Sequence, residues 1–304
     1  MPTLLPTGQQ FDITAGTQKA SVVELGAGLR SYQVDGRDII DGYGEDVMPS
    51  GGRGQLLAPW PNRVGDGRYR FDDDEHQLAL NELPDGHAIH GLLRWVPWRA
   101  VEVASTAVTF RQVILAQPGY PWMVEVMVTW SINEEGLRCH CQALNVGTKV
   151  APWGMGAHPY LRVGDQVDEA MLGLDASTCY DNDDRHLPIG RRPTAGTPVD
   201  FTSPRLIGGA VLDECYTDLG RNPAGWAEAT ITGGGRQVRL ICDQAFGYLM
   251  VFTGDTLALE QRRRGLAVEP MSCAPDAFRS GDGLIRLVPG ESWQGTWGIQ
   301  AARL

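Results

Sequence analysis

The chain has 304 residues, 42% hydrophobic and 21% charged, with a net charge of −11 and a pI near 5.0. That composition supports a sizeable core, and its acidic surface excludes nucleic acid and anionic membranes as default partners. No run reaches the ~18 apolar residues that a bilayer span requires, and Met1 to Thr14 carries neither a basic nor an apolar signal region, so a cytoplasmic protein is expected.

The first informative segment is Leu56-Leu57-Ala58-Pro59-Trp60-Pro61-Asn62-Arg63, where two prolines fix an extended backbone that presents Asn62 and Arg63 in a set direction. Arg63 offers a planar fork of donors for hydroxyls or carboxylates, and a structural salt bridge is its simpler use. His87-Ala88-Ile89-His90-Gly91 follows, running on to Arg94 and Trp95. A His-x-x-His pair without further ligands is a weak metal signal, and no metal or cofactor is expected.

From Trp122 to Trp130 the even positions are apolar, which predicts a strand, and Asn133-Glu134-Glu135-Gly136 is a turn leading into a second strand over Leu137 to Asn145. His158, in Gly154-Met155-Gly156-Ala157-His158-Pro159-Tyr160, is held extended by its proline and can exchange a proton near neutral pH. Three glycines at 233–235 predict a second hairpin between Ala227–Thr232 and Gln237–Cys242. Arg262, Arg263 and Arg264 read as a solvated loop. Glu269 then lies inside the apolar run Leu266 to Met271, where an unpaired charge is costly. It needs either a buried ion pair with an arginine or a chemical task.

Trp293, Trp297 and Ile299 alternate with Gln294, Thr296 and Gln300 in a last strand. Thirty-eight glycines and nineteen prolines break the chain into short pieces, and helical periodicity is scarce. The fold class expected is all-β, in large packed antiparallel sheets, as one domain over residues 1–304. The six cysteines lack C-x-x-C spacing and read as free thiols in a reducing compartment.

Taken in series, the segments at 61–63, 90–91, 158–160 and 269–271 resemble the site motifs of the aldose 1-epimerase (galactose mutarotase) family, over roughly Val22 to Gln300. The resemblance implies a β-sandwich of the galactose mutarotase type that opens and recloses a sugar ring without a cofactor. It implies Glu269 as general base and His158 as general acid. Arg63, His90 and Asp213 would hold the sugar, with Asn62 and Tyr160 as further binding residues. Glu214 and Asp218 are alternatives to Asp213.

Trp60, Trp95 and Trp153 are candidates for stacking on the sugar or for the core. A glycosidase would need two carboxylates about 5–9.5 Å apart, and a non-catalytic sugar-binding protein is the remaining rival. Arg94, four residues after His90, resembles the hexose-6-phosphate epimerase branch and could form a phosphate clamp with Arg63 or the Arg262–Arg264 loop. The acidic net charge gives such an anion no long-range help, so a free glucose- or galactose-class sugar is expected.

Overall fold

The structure is a computed structural model that describes residues 4–304, so the first three residues of the Met1 to Thr14 segment lie outside it. The all-β class holds, with only short helical turns between the strands. A nine-stranded antiparallel sheet runs in the order Arg99–Val103, Ala107–Ile114, Val124–Asn133, Gly136–Asn145, Ser292–Arg303, Arg236–Cys242, Ala227–Gly233, Met171–Leu174 and Arg205–Leu206. Both expected hairpins are there, in the registers Asn133↔Gly136 and Gly233↔Arg236. The first strand starts at Val124 rather than Trp122. Trp122 instead joins Phe71, His76 and Tyr120 in an aromatic cluster.

Alternation sorts the side chains of this sheet. Val124, Val126, Val128, Trp130 and Ile132 are buried while the residues between them are not, and Cys139, Cys141 and Trp297 stand beside them on neighbouring strands. Each such side chain contributes about 1.5–3 kcal/mol when fully buried. All six cysteines are free and buried; Cys139 and Cys141 share one face, with sulfurs 3.7 Å apart.

The second sheet has eight strands. Its path runs Pro188–Pro193, Ala176–Asn182, Asp213–Leu219, Tyr248–Phe252, Leu266–Met271, Gly156–Ala157 and Leu56–Leu57, and Tyr160–Leu161 also pairs with Leu266–Met271. Leu249, Val251, Leu266 and Val268 face the core shared with the nine-stranded sheet. The opposite face carries Cys215, Met250 and Met271 in a smaller apolar cluster, and the cross-strand pairs Met250↔Glu269 and Asp213↔Phe252 put Glu269 and Asp213 on that same face. The whole strand Leu266–Met271 is buried, which is why its sequence shows no apolar–polar alternation.

Candidate active site

A pocket of about 300 Å³ opens on that second face, and Asn62, Arg63, His90, His158, Tyr160, Asp213 and Glu269 all line it. The strand position explains the choice among acids. Asp213 points to the pocket, whereas Glu214, one residue on, faces the other way and pairs with Arg192, and Asp218 lies outside the pocket lining.

Among the described residues Glu269 has no arginine partner. Its Oε1 lies 3.2 Å from Nε2 of His158, and its Oε2 has no hydrogen-bond partner among the described residues. Burial pushes this carboxyl well above the usual carboxylate range; the Asp213 charge adds to the effect and Arg63 opposes it. Burial also pushes His158 down to about 3, against the pull of a backbone hydrogen bond and with help from the Arg53 and Arg94 charges. Both shifts point the same way. Burial thus favours the uncharged form of each group, a protonated Glu269 beside a neutral His158.

His158 is pinned along its backbone: its N–H donates to Gln55 O and its carbonyl accepts from Gly54 N, both at 3.0 Å. Its ring stacks on Tyr160, whose hydroxyl donates to Gly51 O. Gly52 closes the other side. A Cβ there would meet His158 Cδ2 at 2.4 Å, and the backbone is left-handed at φ 77°. Gly52→Ala is therefore expected to push the imidazole off its position and lower kcat at least tenfold, since misplacement by about 1 Å costs on the order of 10²-fold. Steady-state kinetics on the folded variant, checked by circular dichroism, would show it; unchanged kcat would mean the ring position is not critical.

Asn62 and His90 lock each other. His90 N–H donates to Asn62 O at 3.0 Å, and Asn62 N–H donates to His90 Nδ1 at 3.2 Å. Both have left-handed backbones, φ 55° and 64°, a conformation that costs about 1–3 kcal/mol without such support. Because Nδ1 accepts, neutral His90 carries its proton on Nε2 as a donor. Burial, with the His158 charge next, holds His90 well below its ordinary value and so keeps it neutral.

Arg63 is a structural partner and a pocket wall at once. It forms a bidentate pair with Glu82, both contacts at 2.8 Å. Burial works against its charge, and Glu82 and Asp213 more than offset this. Glu82 and Phe252, both in the pocket lining, were not visible beforehand: Glu82 sits in an aperiodic loop, and Phe252 ends a strand that is apolar throughout.

Behind the wall, Arg53 and Asp41 form a buried ion pair at 3.0 Å, and Arg264 reaches the other Asp41 oxygen at 3.1 Å. Asp41 N–H also donates to Tyr160 O.

Other candidate residues lie away from the pocket. Trp60 and Trp153 are core residues, Trp60 against Phe278, and exposed Trp95 is outside the pocket lining, so none of the three is placed to stack on a sugar. Among the described residues no cluster of three metal-binding side chains occurs. His87 bonds Asp66 N and Arg185 O instead. The Arg262–Arg264 segment is mostly tied down: Arg263 to Asp168 and Asp255, Arg264 to Asp41, and Arg262 to Leu257 O, with none lining the pocket.

Compared with known families, the sequence matches the aldose 1-epimerase model over residues 9–300. The chain belongs to the aldose 1-epimerase family. Among relatives of this aldose 1-epimerase family member, the uncharacterized protein YihR of Escherichia coli (strain K12) is 36% identical over 292 residues, 94% of this chain and 91% of that one. Human galactose mutarotase is 23% identical over 233 residues, 69% of this chain and 66% of the relative. The aldose 1-epimerase family fold is matched by a solved GalM/aldose epimerase homologue from C. elegans, with TM-score 0.87, 18% identity and coverage of 97% and 99% of the two chains. The expected sandwich of the galactose mutarotase type is thus the fold observed. Among the described residues no helix is long and apolar enough to cross a membrane.

Proposed function

We propose that this protein interconverts the α and β anomers of an unphosphorylated aldopyranose by acid–base ring opening, with Glu269 as base and His158 as acid. The observation that carries this reading is a buried carboxyl with no cationic partner, 3.2 Å from an imidazole, in an open pocket. O1 and O5 of the sugar share the carbon C1, so a base and an acid that close together can reach both.

The electron balance is simple. Glu269 takes the O1 proton, the O1–H electrons form the C1=O1 bond, C1–O5 breaks, and O5 takes a proton from His158. Rotation about C1–C2 presents the other face of the aldehyde, and the reverse transfers close the ring. The step requires carboxylate beside imidazolium, the same single proton moved from Glu269 to His158. Sugar hydroxyls donating to the carboxylate and the ring oxygen accepting from the imidazolium favour that charge-separated form. His90, Arg63 and Asp213 would hold the remaining hydroxyls.

Polarimetry tests the reading: freshly dissolved single-anomer aldoses, α-glucose and α-galactose among them, should equilibrate faster with the protein than in buffer. A rate equal to the blank for every aldose tried, neutral or charged, would overturn it, and release of sugar from aryl glycosides would favour a glycosidase.

The pH profile follows from the shared proton. As pH rises past the raised value of Glu269 the pair loses its proton and no acid is left; as pH falls toward about 3 His158 gains a second and no base is left. No loss of activity is therefore expected as pH drops through ~6.5, where an ordinary histidine titrates. A fall in kcat/KM on lowering the pH through that value would show that His158 titrates normally.

A further inference from the structure

One cation in the pocket has no carboxylate of its own: Glu82, whose charge acts on Arg94, is already paired with Arg63. The guanidinium of Arg94 lies in the pocket wall, and among the described residues it forms no ion pair. Its Nη1 makes one long hydrogen bond to Gln55 Oε1 at 3.4 Å, its Nε is buried without a partner, and the Nε2 of Gln55 is equally orphaned. Trp95 presents a ring face 5.5 Å away, which attracts the cation without neutralising it. The other arginines near the site are satisfied, Arg63 by Glu82 and Arg53 by Asp41. A half-buried guanidinium with unused donors costs stability unless something fills it.

Arg94 stands on the acid's side of the pocket: Gln55, whose side chain meets Arg94, accepts the His158 N–H on its carbonyl, whereas Asp213 shares its sheet face with Glu269.

We infer that the sugar carries a single negative charge on its C6 substituent, held by Arg94, which Gln55 meets from outside the pocket lining. This rests on the ring-opening reading above: when O5 sits at His158, the neighbouring carbon on the side away from C1 is C5, and the group it bears points toward the Arg94 end. The charge count selects the anion. One unpaired guanidinium balances one charge, which suits a carboxylate or a sulfonate. A phosphate dianion calls for a second cation, and the Arg262–Arg264 segment, which could have supplied it, is engaged elsewhere.

The test compares kcat/KM for anomerisation of glucose, glucuronate, the 6-sulfonate of 6-deoxyglucose and glucose 6-phosphate, with binding of each measured by calorimetry. One or both monoanions should exceed glucose and the phosphate by at least about tenfold, in keeping with a charge-assisted hydrogen bond; the two monoanion arms show which acid group is preferred. In Arg94→Met that advantage over glucose should collapse to near unity, and Arg94→Lys should keep part of it. Each ratio is taken within one preparation, so a reduced folded fraction cancels. Equal or better use of glucose, a preference for the phosphate, or a monoanion advantage that survives Arg94→Met would each overturn the inference. Arg94-dependent binding of a monoanion without any anomerisation would support the subsite and count against the ring-opening reading instead.

Discussion

Replacing Glu269 by Gln is expected to lower kcat by about 10²-fold or more, because a positioned proton-transfer group typically contributes about 10²–10⁴-fold. The substitution keeps size and shape, and the amide N–H donates toward His158 Nε2 much as a protonated carboxyl would, so the protein should fold. Its stability should carry a signature of its own. A carboxyl whose folded-state value is raised gives stability that is complete below its unfolded value, about 4.5, and lost as pH rises through the folded value. Glutamine never ionises and escapes that loss. The melting temperature of Glu269→Gln relative to the parent should therefore climb between pH 5 and pH 8. Near-parental kcat would remove Glu269 from the chemistry, and a difference in melting temperature that stays flat with pH would mean the carboxyl is not raised.

His158→Asn should cost kcat a similar factor, about 10²-fold or more, with a smaller effect on KM. The shorter asparagine neither reaches Glu269 as the imidazole does nor hands a proton to O5. Here stability should fall, because Glu269 loses the one polar contact it has among the described residues and Tyr160 its stacked neighbour. A buried group left unsatisfied costs about 1–3 kcal/mol. Measuring kcat on the folded fraction, fixed by denaturant titration, separates the two effects; a loss of activity that merely tracks the unfolded fraction would make His158 a packing residue.

Much of this arrangement could be read beforehand where a residue announces itself by contradiction. Glu269 is a charge in an apolar run, His158 and Asn62 are polar residues fixed by adjacent prolines, and the glycine-rich turns mark their hairpins. Asp213 was ambiguous because three acids lie within six residues, and only the register Asp213↔Phe252 decides which faces the pocket. What stayed hidden depends on contacts distant in sequence. Glu82 meets Arg63 across nineteen residues of irregular chain, and Gly52 matters through the ring of His158, over a hundred residues away. Tryptophans mislead for a related reason: an indole fits a sugar-stacking platform and a core equally well by type, and here Trp60 and Trp153 are core.

The Asp41 carboxylate binds Arg53, from the segment that carries Gly51 and Gly52, and Arg264, which ends the segment carrying Thr256 and Leu257. Its own amide grips the strand of Tyr160. One residue thus acts as a common rivet for three rims of the cleft, and any of them that swings outward must break a contact with Asp41. Entry and exit of a sugar must then proceed past rims that stay put, through the mouth the cleft already has, so turnover would not wait on a lid.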